Sequence, residues 1–69
     1  MKEVKVHTEF ITLGQLLKMV GEVSSGGEVK EYLFAETPRV NGEPEQRRGR
    51  KLRSGDIIVL KHTGEIRCV

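Results

Sequence analysis

Five cations fall within seven residues of this chain: Arg47, Arg48, Arg50, Lys51 and Arg53. Side chains of this type at this spacing suit polyanions. An arginine fork engages two phosphate oxygens at once, and closely spaced cations release condensed counterions from a nucleic acid. Gly49, inside the run, reads as a point where the backbone can approach a ligand closely. Residues 39–53 hold six basic and two acidic groups, a balance of +4, whereas the other 54 hold six basic and eight acidic, a balance of −2. The net charge of +2 therefore hides one concentrated positive patch. The plain alternative is a solvated loop that keeps a small protein soluble. Charge of this density beside a tight turn points instead to a polyanion-binding surface.

A second group is Ser25, Gly26, Gly27 and Lys30. A helix N-terminus offers unpaired amides, and paired glycines let a phosphate come near them. An ordinary capped helix start explains the same residues, and Glu28 would compete with an anion there. Lys18 and Arg39 are candidate outer contacts. Asn41-Gly42 reads as structural, holding the basic segment against the helices. Cys68, His7 and His62 show no Cys-x-x-Cys pair and no His-x-x-x-His spacing, so no metal, cofactor or catalytic residue is expected. Cys68 reads as a small buried hydrophobe and the histidines as surface residues. Phe10, Tyr32 and Phe34 are the only aromatics, and two of them fall in or beside helix faces that need core. A stacking platform for single-stranded bases places several aromatics on one open sheet, so any recognition should rest on phosphate geometry and shape, with limited base reading.

These residues need elements to position them. Val4, Val6 and Phe10 alternate with polar neighbours as in a short strand with one buried face. Thr12 and Gln15 form a capping box, with Ile11 placed to staple onto Leu16. Leu13, Leu16, Leu17 and Val20 recur at helical spacing, leaving Gln15, Lys18 and Glu22 outside, and Gly21 suits a left-handed cap. Ser25 with Glu28 predicts a second capping box, opening a helix with Val29, Tyr32 and Leu33 as its buried stripe. Pro38 stops that helix. A linker of about four residues should fold the two helices back on each other. Val40-Asn41-Gly42 predicts a hairpin turn, and Pro44 confines the next strand to an edge. Ser54-Gly55-Asp56 is a turn, Ile57-Ile58-Val59-Leu60 a strand, and Thr63-Gly64 a further hairpin into Ile66-Arg67-Cys68-Val69. The fold class expected is α+β: two short helices packed on a small antiparallel sheet, to which the first strand adds.

Sixty-nine residues make a single domain. Such a chain buries only about 60% of its unfolded surface, so its core must be efficient. One cysteine permits no intramolecular disulfide and fits a reducing, cytoplasmic setting. No apolar run approaches the ~20 residues of a membrane span, and Met1-Lys2-Glu3 opens no signal peptide, so no membrane partner is expected.

The order of these pieces resembles a known family, the S-four RNA-binding domain, also called the alpha-L motif. The resemblance rests on the short first helix, Ser24-Ser25-Gly26-Gly27-Glu28-Val29-Lys30, Val40-Asn41-Gly42, and Lys51-Leu52-Arg53-Ser54-Gly55-Asp56-Ile57-Ile58. It runs from about residue 12 to 60 of a single domain spanning 1–69. The small stand-alone type called YaaA or YbcJ is especially similar, through Val40-Asn41-Gly42-Glu43-Pro44-Glu45 and Arg47-Arg48-Gly49-Arg50-Lys51-Leu52. The chain departs from the pattern at Val29, where a small alanine is usual, at Glu36, where the helix normally ends in Gly or Asn, and at Pro38, where an apolar strand residue is usual. Membership implies non-catalytic binding of structured RNA, ribosomal RNA or a ribosomal-subunit precursor, and a role in ribosome assembly or maturation; a monomer is expected separately. Two other classes stay open. A ubiquitin-like β-grasp sulfur carrier shares the Asn-Gly hairpin and the late Gly-Asp before a strand, but carries a C-terminal Gly-Gly where this chain has Arg67-Cys68-Val69. A basic adaptor for an acidic protein partner fits the same arginines, because carboxylate and phosphate look alike to a guanidinium.

Overall fold

The computed structural model describes residues 1–69, and its elements follow the sequence signals closely in the middle of the chain. The order is β1 (Lys2–Val4), β2 (Ile11–Thr12), α1 (Leu13–Met19), α2 (Gly26–Glu36), β3 (Arg39–Val40), β4 (Glu43–Pro44), β5 (Lys51–Leu52), β6 (Ile57–Leu60) and β7 (Gly64–Cys68). The fold is α+β, with both helices packed on a five-stranded sheet ordered β1-β7-β6-β3-β4 and a separate two-stranded ladder of β2 and β5. The sheet is mixed and not antiparallel throughout, since β1 runs parallel to β7 with Lys2 opposite Ile66 and Val4 opposite Cys68. The first strand thus pairs directly with the last.

That strand is shorter than its alternation predicts. Beyond Val6, whose N–H donates to the Val69 carbonyl at 2.8 Å, the chain turns away. The Thr8 hydroxyl closes the bend by donating to the Phe10 carbonyl at 2.7 Å. Phe10 therefore leaves the strand face, and Ile11 and Thr12 pair instead with Leu52 and Lys51.

Both halves of the capping box at α1 form: Thr12 Oγ1 accepts from Gln15 N at 3.2 Å and Gln15 Oε1 from Thr12 N at 2.8 Å. Leu13, Leu16 and Leu17 are fully buried. The helix closes as a Schellman motif, Gly21 N–H donating to Lys18 and Glu22 N–H to Leu17, with Gly21 at φ +77°. The second capping box does not form. The Ser25 hydroxyl donates to the Glu28 carboxylate at 3.3 Å and caps no amide, because the charged acceptor competes with the backbone for the same hydroxyl. Val29 and Leu33 are buried on α2 and Tyr32 is half-buried, as its stripe predicts. Thr37 takes the left-handed position at φ +41° where glycine would be easiest, and its N–H caps the Leu33 carbonyl at 3.0 Å. Pro38 is buried, and its carbonyl accepts from Glu45 N at 2.8 Å, so it fills the apolar place of a strand residue without needing to donate.

Glu22 stands inside the structure rather than outside it. Its carboxylate receives Tyr32 Oη at 2.6 Å, His62 N at 2.9 Å, Thr63 N at 2.9 Å and Thr63 Oγ1 at 2.7 Å. Burial alone would raise its pKa, but these donors together bring it down to about 2. One side chain thereby ties the linker between the helices to the turn between β6 and β7.

The Asn41-Gly42 turn has positive φ at both residues, 52° and 86°. Asn41 also reaches across the sheet. Its Nδ2 donates to Asp56 Oδ1 at 3.0 Å and its Oδ1 accepts from Ile57 N at 2.9 Å. Asn41→Ala forfeits both bonds and leaves a Cβ-bearing residue without local support in the left-handed region. It is expected to lower stability by about 1–3 kcal/mol, measured as the midpoint of urea unfolding with an unchanged slope.

Thirteen buried apolar residues from both helices, the linker between them (Val23), the large sheet and β5 form one core. Cys68 belongs to it, 1% exposed, with its thiol pushed up by burial and by the charge of Asp56. His7 and His62 are exposed, as expected.

Candidate nucleic-acid interface

The basic run is held by its backbone, which leaves its side chains outward. Lys51 and Leu52 pair with β2, and Leu52 is fully buried. Ahead of them, the first-turn amides of α1 donate to the loop: Leu13 N to the Arg50 carbonyl at 2.9 Å, and Gly14 N to the Arg48 carbonyl at 3.0 Å. Gly14 makes this approach possible. A Cβ there would stand 3.4 Å from the Arg48 oxygen, 3.4 Å from Val29 Cγ1 and 3.6 Å from Arg48 Cβ. The larger side chain at Val29 is thus accommodated by a glycine on the facing helix. Gly49 itself is open, since a Cβ there would meet nothing within 4 Å.

Glu45 is the buried hub of the loop, 7% exposed. It accepts from Arg47 N at 3.1 Å, Arg47 Nε at 3.0 Å, Arg47 Nη2 at 3.1 Å and Arg50 Nη1 at 3.0 Å. The Arg47 side chain outweighs the opposing effect of burial and, with the Arg47 amide and Arg50, brings the carboxyl down to about 2. Both guanidiniums are oriented by this one carboxylate, and the Arg47 side chain remains 75% exposed. Lys51 and Arg53 are ordered differently. Lys51 Nζ lies 5.0 Å and Arg53 Cζ 5.8 Å from the centroid of the Phe10 ring, within cation–π range. Asp56 accepts from Arg53 N at 2.8 Å as well as from Asn41, and these bonds hold it below the usual carboxylate range against its own burial. Asn41-Gly42 therefore fixes the end of the basic segment through Asp56 at the start of β6, not against the helices.

The outcome is a depression of about 440 Å³ lined by Arg47, Gly49, Arg50, Lys51 and Arg53, with no apolar side chain. Arg48 lies off it, exposed, with its backbone against Gly14. The other candidates divide. Lys18 Nζ lies 3.9 Å from where a Gly26 Cβ would be, which places this cation at the start of α2. Gly27 and Lys30 share a depression with Phe34 and Gln46. Ser25 is spent on Glu28, and Arg39 Nη1 donates to the Gly42 carbonyl at 3.1 Å, which keeps Arg39 on its own hairpin.

Sequence reading gave no place in the site to Gly14, Glu45, Gln46, Phe10 or Phe34. Glu45 carried a signal, as a lone acid between a proline and a cationic run; the others acquire their roles only through tertiary contact.

No helix is long and apolar enough to cross a membrane. The family profile described as the S4 domain matches residues 4–69. The chain is also 42% identical over 66 residues to a Bacillus subtilis (strain 168) protein named "Probable ribosome maturation protein RlbA", a match covering 96% of this chain and 93% of that protein. The two helices, the Asn-Gly hairpin and the docked basic loop are thus those of an S4 domain, and this chain belongs to that family.

Proposed function

We propose that this chain is a non-catalytic module that binds structured RNA, specifically ribosomal RNA or a ribosomal-subunit precursor, and acts as a monomer in ribosome maturation. One observation carries the reading: four cations of the run line a single depression free of apolar side chains, on a backbone pinned by the amides of α1. A cradle of that kind suits phosphates, where preset guanidinium forks lose little freedom on binding. Similarity to a protein named for ribosome maturation supports the ribosomal partner. Membership in the S4 family leaves the sulfur-carrier alternative without support.

The test must respect Glu45. Alanine at Arg47 or Arg50 would remove part of the pairing of a buried carboxylate, alanine at both would strand it, and either would confuse unfolding with lost binding. The informative variant is Arg48→Ala, Lys51→Ala and Arg53→Ala together, which leaves the Glu45 pairs intact. Ultraviolet crosslinking in cells, followed by sequencing of the attached RNA, is expected to enrich discrete ribosomal-RNA segments with the natural chain and lose them with the variant. In vitro, the slope of log affinity against log salt should fall by up to about 2.7, or roughly 0.9 per phosphate contact removed. Equal, diffuse crosslinking by both proteins would reject the reading, and retention of an acidic protein partner would favour the adaptor.

A further inference from the structure

Phe34 is 79% exposed, in a molecule whose other two aromatics are half-buried. It stands on α2 directly after Leu33, which is 1% exposed, so the helix turns one large apolar residue into the core and the next into water. Gly27, Lys30, Glu31 and Phe34 follow the spacing of one helix face, and with Gln46 they line a depression of about 540 Å³. Gln46 joins this face to the basic loop. Its Nε2 donates to the Phe34 carbonyl at 3.4 Å and to Thr37 Oγ1 at 3.0 Å, and the next residues are Arg47 and Arg48. The ring therefore stands where the cationic run begins.

We infer that Phe34 is a stacking site for one unpaired nucleobase, with Lys30 and the start of the basic loop holding the adjoining phosphates. The inference rests on the RNA reading above and adds to it a contact with a base. The neighbours of the ring decide the occupant. A protein hot spot needs contiguous apolar area around its anchor, and the depression beside this ring is otherwise lined by Gly27, Lys30, Glu31 and Gln46, none of them a large apolar side chain. A phosphate is disfavoured on the ring itself by the carboxylate of Glu31, whereas a neutral, flat base with its phosphate toward Lys30 fits both charges. Gly27 and Lys30, candidates for phosphate contact at the start of α2, thus acquire a common role with Phe34.

The chain contains no tryptophan, so Phe34→Trp reports on this site alone. Titrated with total bacterial ribosomal RNA, its emission is expected to be quenched, while a fully paired RNA duplex leaves it unchanged. Phe34→Ala should weaken binding of the same RNA by roughly 5- to 150-fold, the equivalent of ~1–3 kcal/mol per stacked base, with the salt slope intact because no phosphate contact is lost. The exposed position predicts an unchanged melting temperature for Phe34→Ala. Unquenched emission on saturating RNA, or natural affinity in Phe34→Ala, overturns the stacking site while the triple cation variant still tests RNA binding. Natural RNA affinity with lost co-sedimentation on ribosomal subunits would assign the ring to a protein contact and likewise overturn it. Failure of the natural chain to bind the RNA would remove both proposals.

Discussion

Gly14→Val is expected to abolish RNA binding without removing a single charge. The position is buried between the Arg48 carbonyl and Val29, and a first carbon there just fits at 3.4 Å from each. Valine adds two methyl groups at that point, stiff at χ1, with backbone oxygen on one side and a core side chain on the other. One partner must move. Val29 is wedged in the core, so the loop gives way, and the Gly14 N–H loses the Arg48 oxygen that it meets at 3.0 Å. Overpacking of about 1–3 kcal/mol and an unsatisfied buried amide of about 1–3 kcal/mol together place the loss at roughly 2–6 kcal/mol. A domain of this size holds on the order of 3–10 kcal/mol. Affinity for ribosomal RNA should fall at least as far as in the triple cation variant, because the cradle that aligns Arg47, Arg50, Lys51 and Arg53 loses its floor. Gly14→Ala is the control. Its single carbon sits at ordinary contact distance, alanine favours the helix, and both stability and binding should stay near natural values. Thermal unfolding and a filter-binding titration on the two variants decide the matter. Equal behaviour of alanine and valine would show that the loop is not held at Gly14.

Acid should unfold this protein over a defined window. Glu22 and Glu45 both have folded pKa values near 2, against an ordinary value of 4.5. For a carboxyl lowered by folding, the unfolded chain binds the proton first as pH falls. The stabilisation is complete above about pH 4.5 and is lost progressively down to about pH 2. Allowing for solvent screening, each group contributes on the order of 1–2 kcal/mol. Together they represent roughly 8–32 °C of melting temperature in a domain this small. The melting temperature is expected to be flat from pH 5 to 8 and to drop steeply below that. Glu22→Gln with Glu45→Gln should flatten the acid limb and lower the plateau. A double variant that keeps the full acid dependence would place the responsible carboxyls elsewhere.

The elements that were legible in the sequence are those whose signals are local. Thr12 and Gln15 cap a helix because the two residues satisfy each other within one turn, and Asn41-Gly42 turns because both tolerate positive φ. Ser25 and Glu28 have the same spacing but do not cap, since a short-range pattern does not reveal which partner a hydroxyl prefers. The parallel pairing of Lys2–Val4 with the last strand left no trace, because parallel neighbours are joined by no turn. The basic run was legible as charge, but its floor at Gly14 and its hub at Glu45 are tertiary facts. Helical periodicity divided Leu33 from Phe34 but gave no purpose to the exposed ring.

The strand order has a consequence for how the protein is made. β6 and β7 occupy the middle of the sheet, between β1 on one side and β3 with β4 on the other. They also follow all of those strands in the chain. Until β6 and β7 are made, β1 has no partner strand and β3 pairs only with β4. The large sheet therefore closes only once translation has supplied β6 and β7, whereas the ladder, the α1 amides and the Glu45 hub that shape the cradle all precede those strands in the chain.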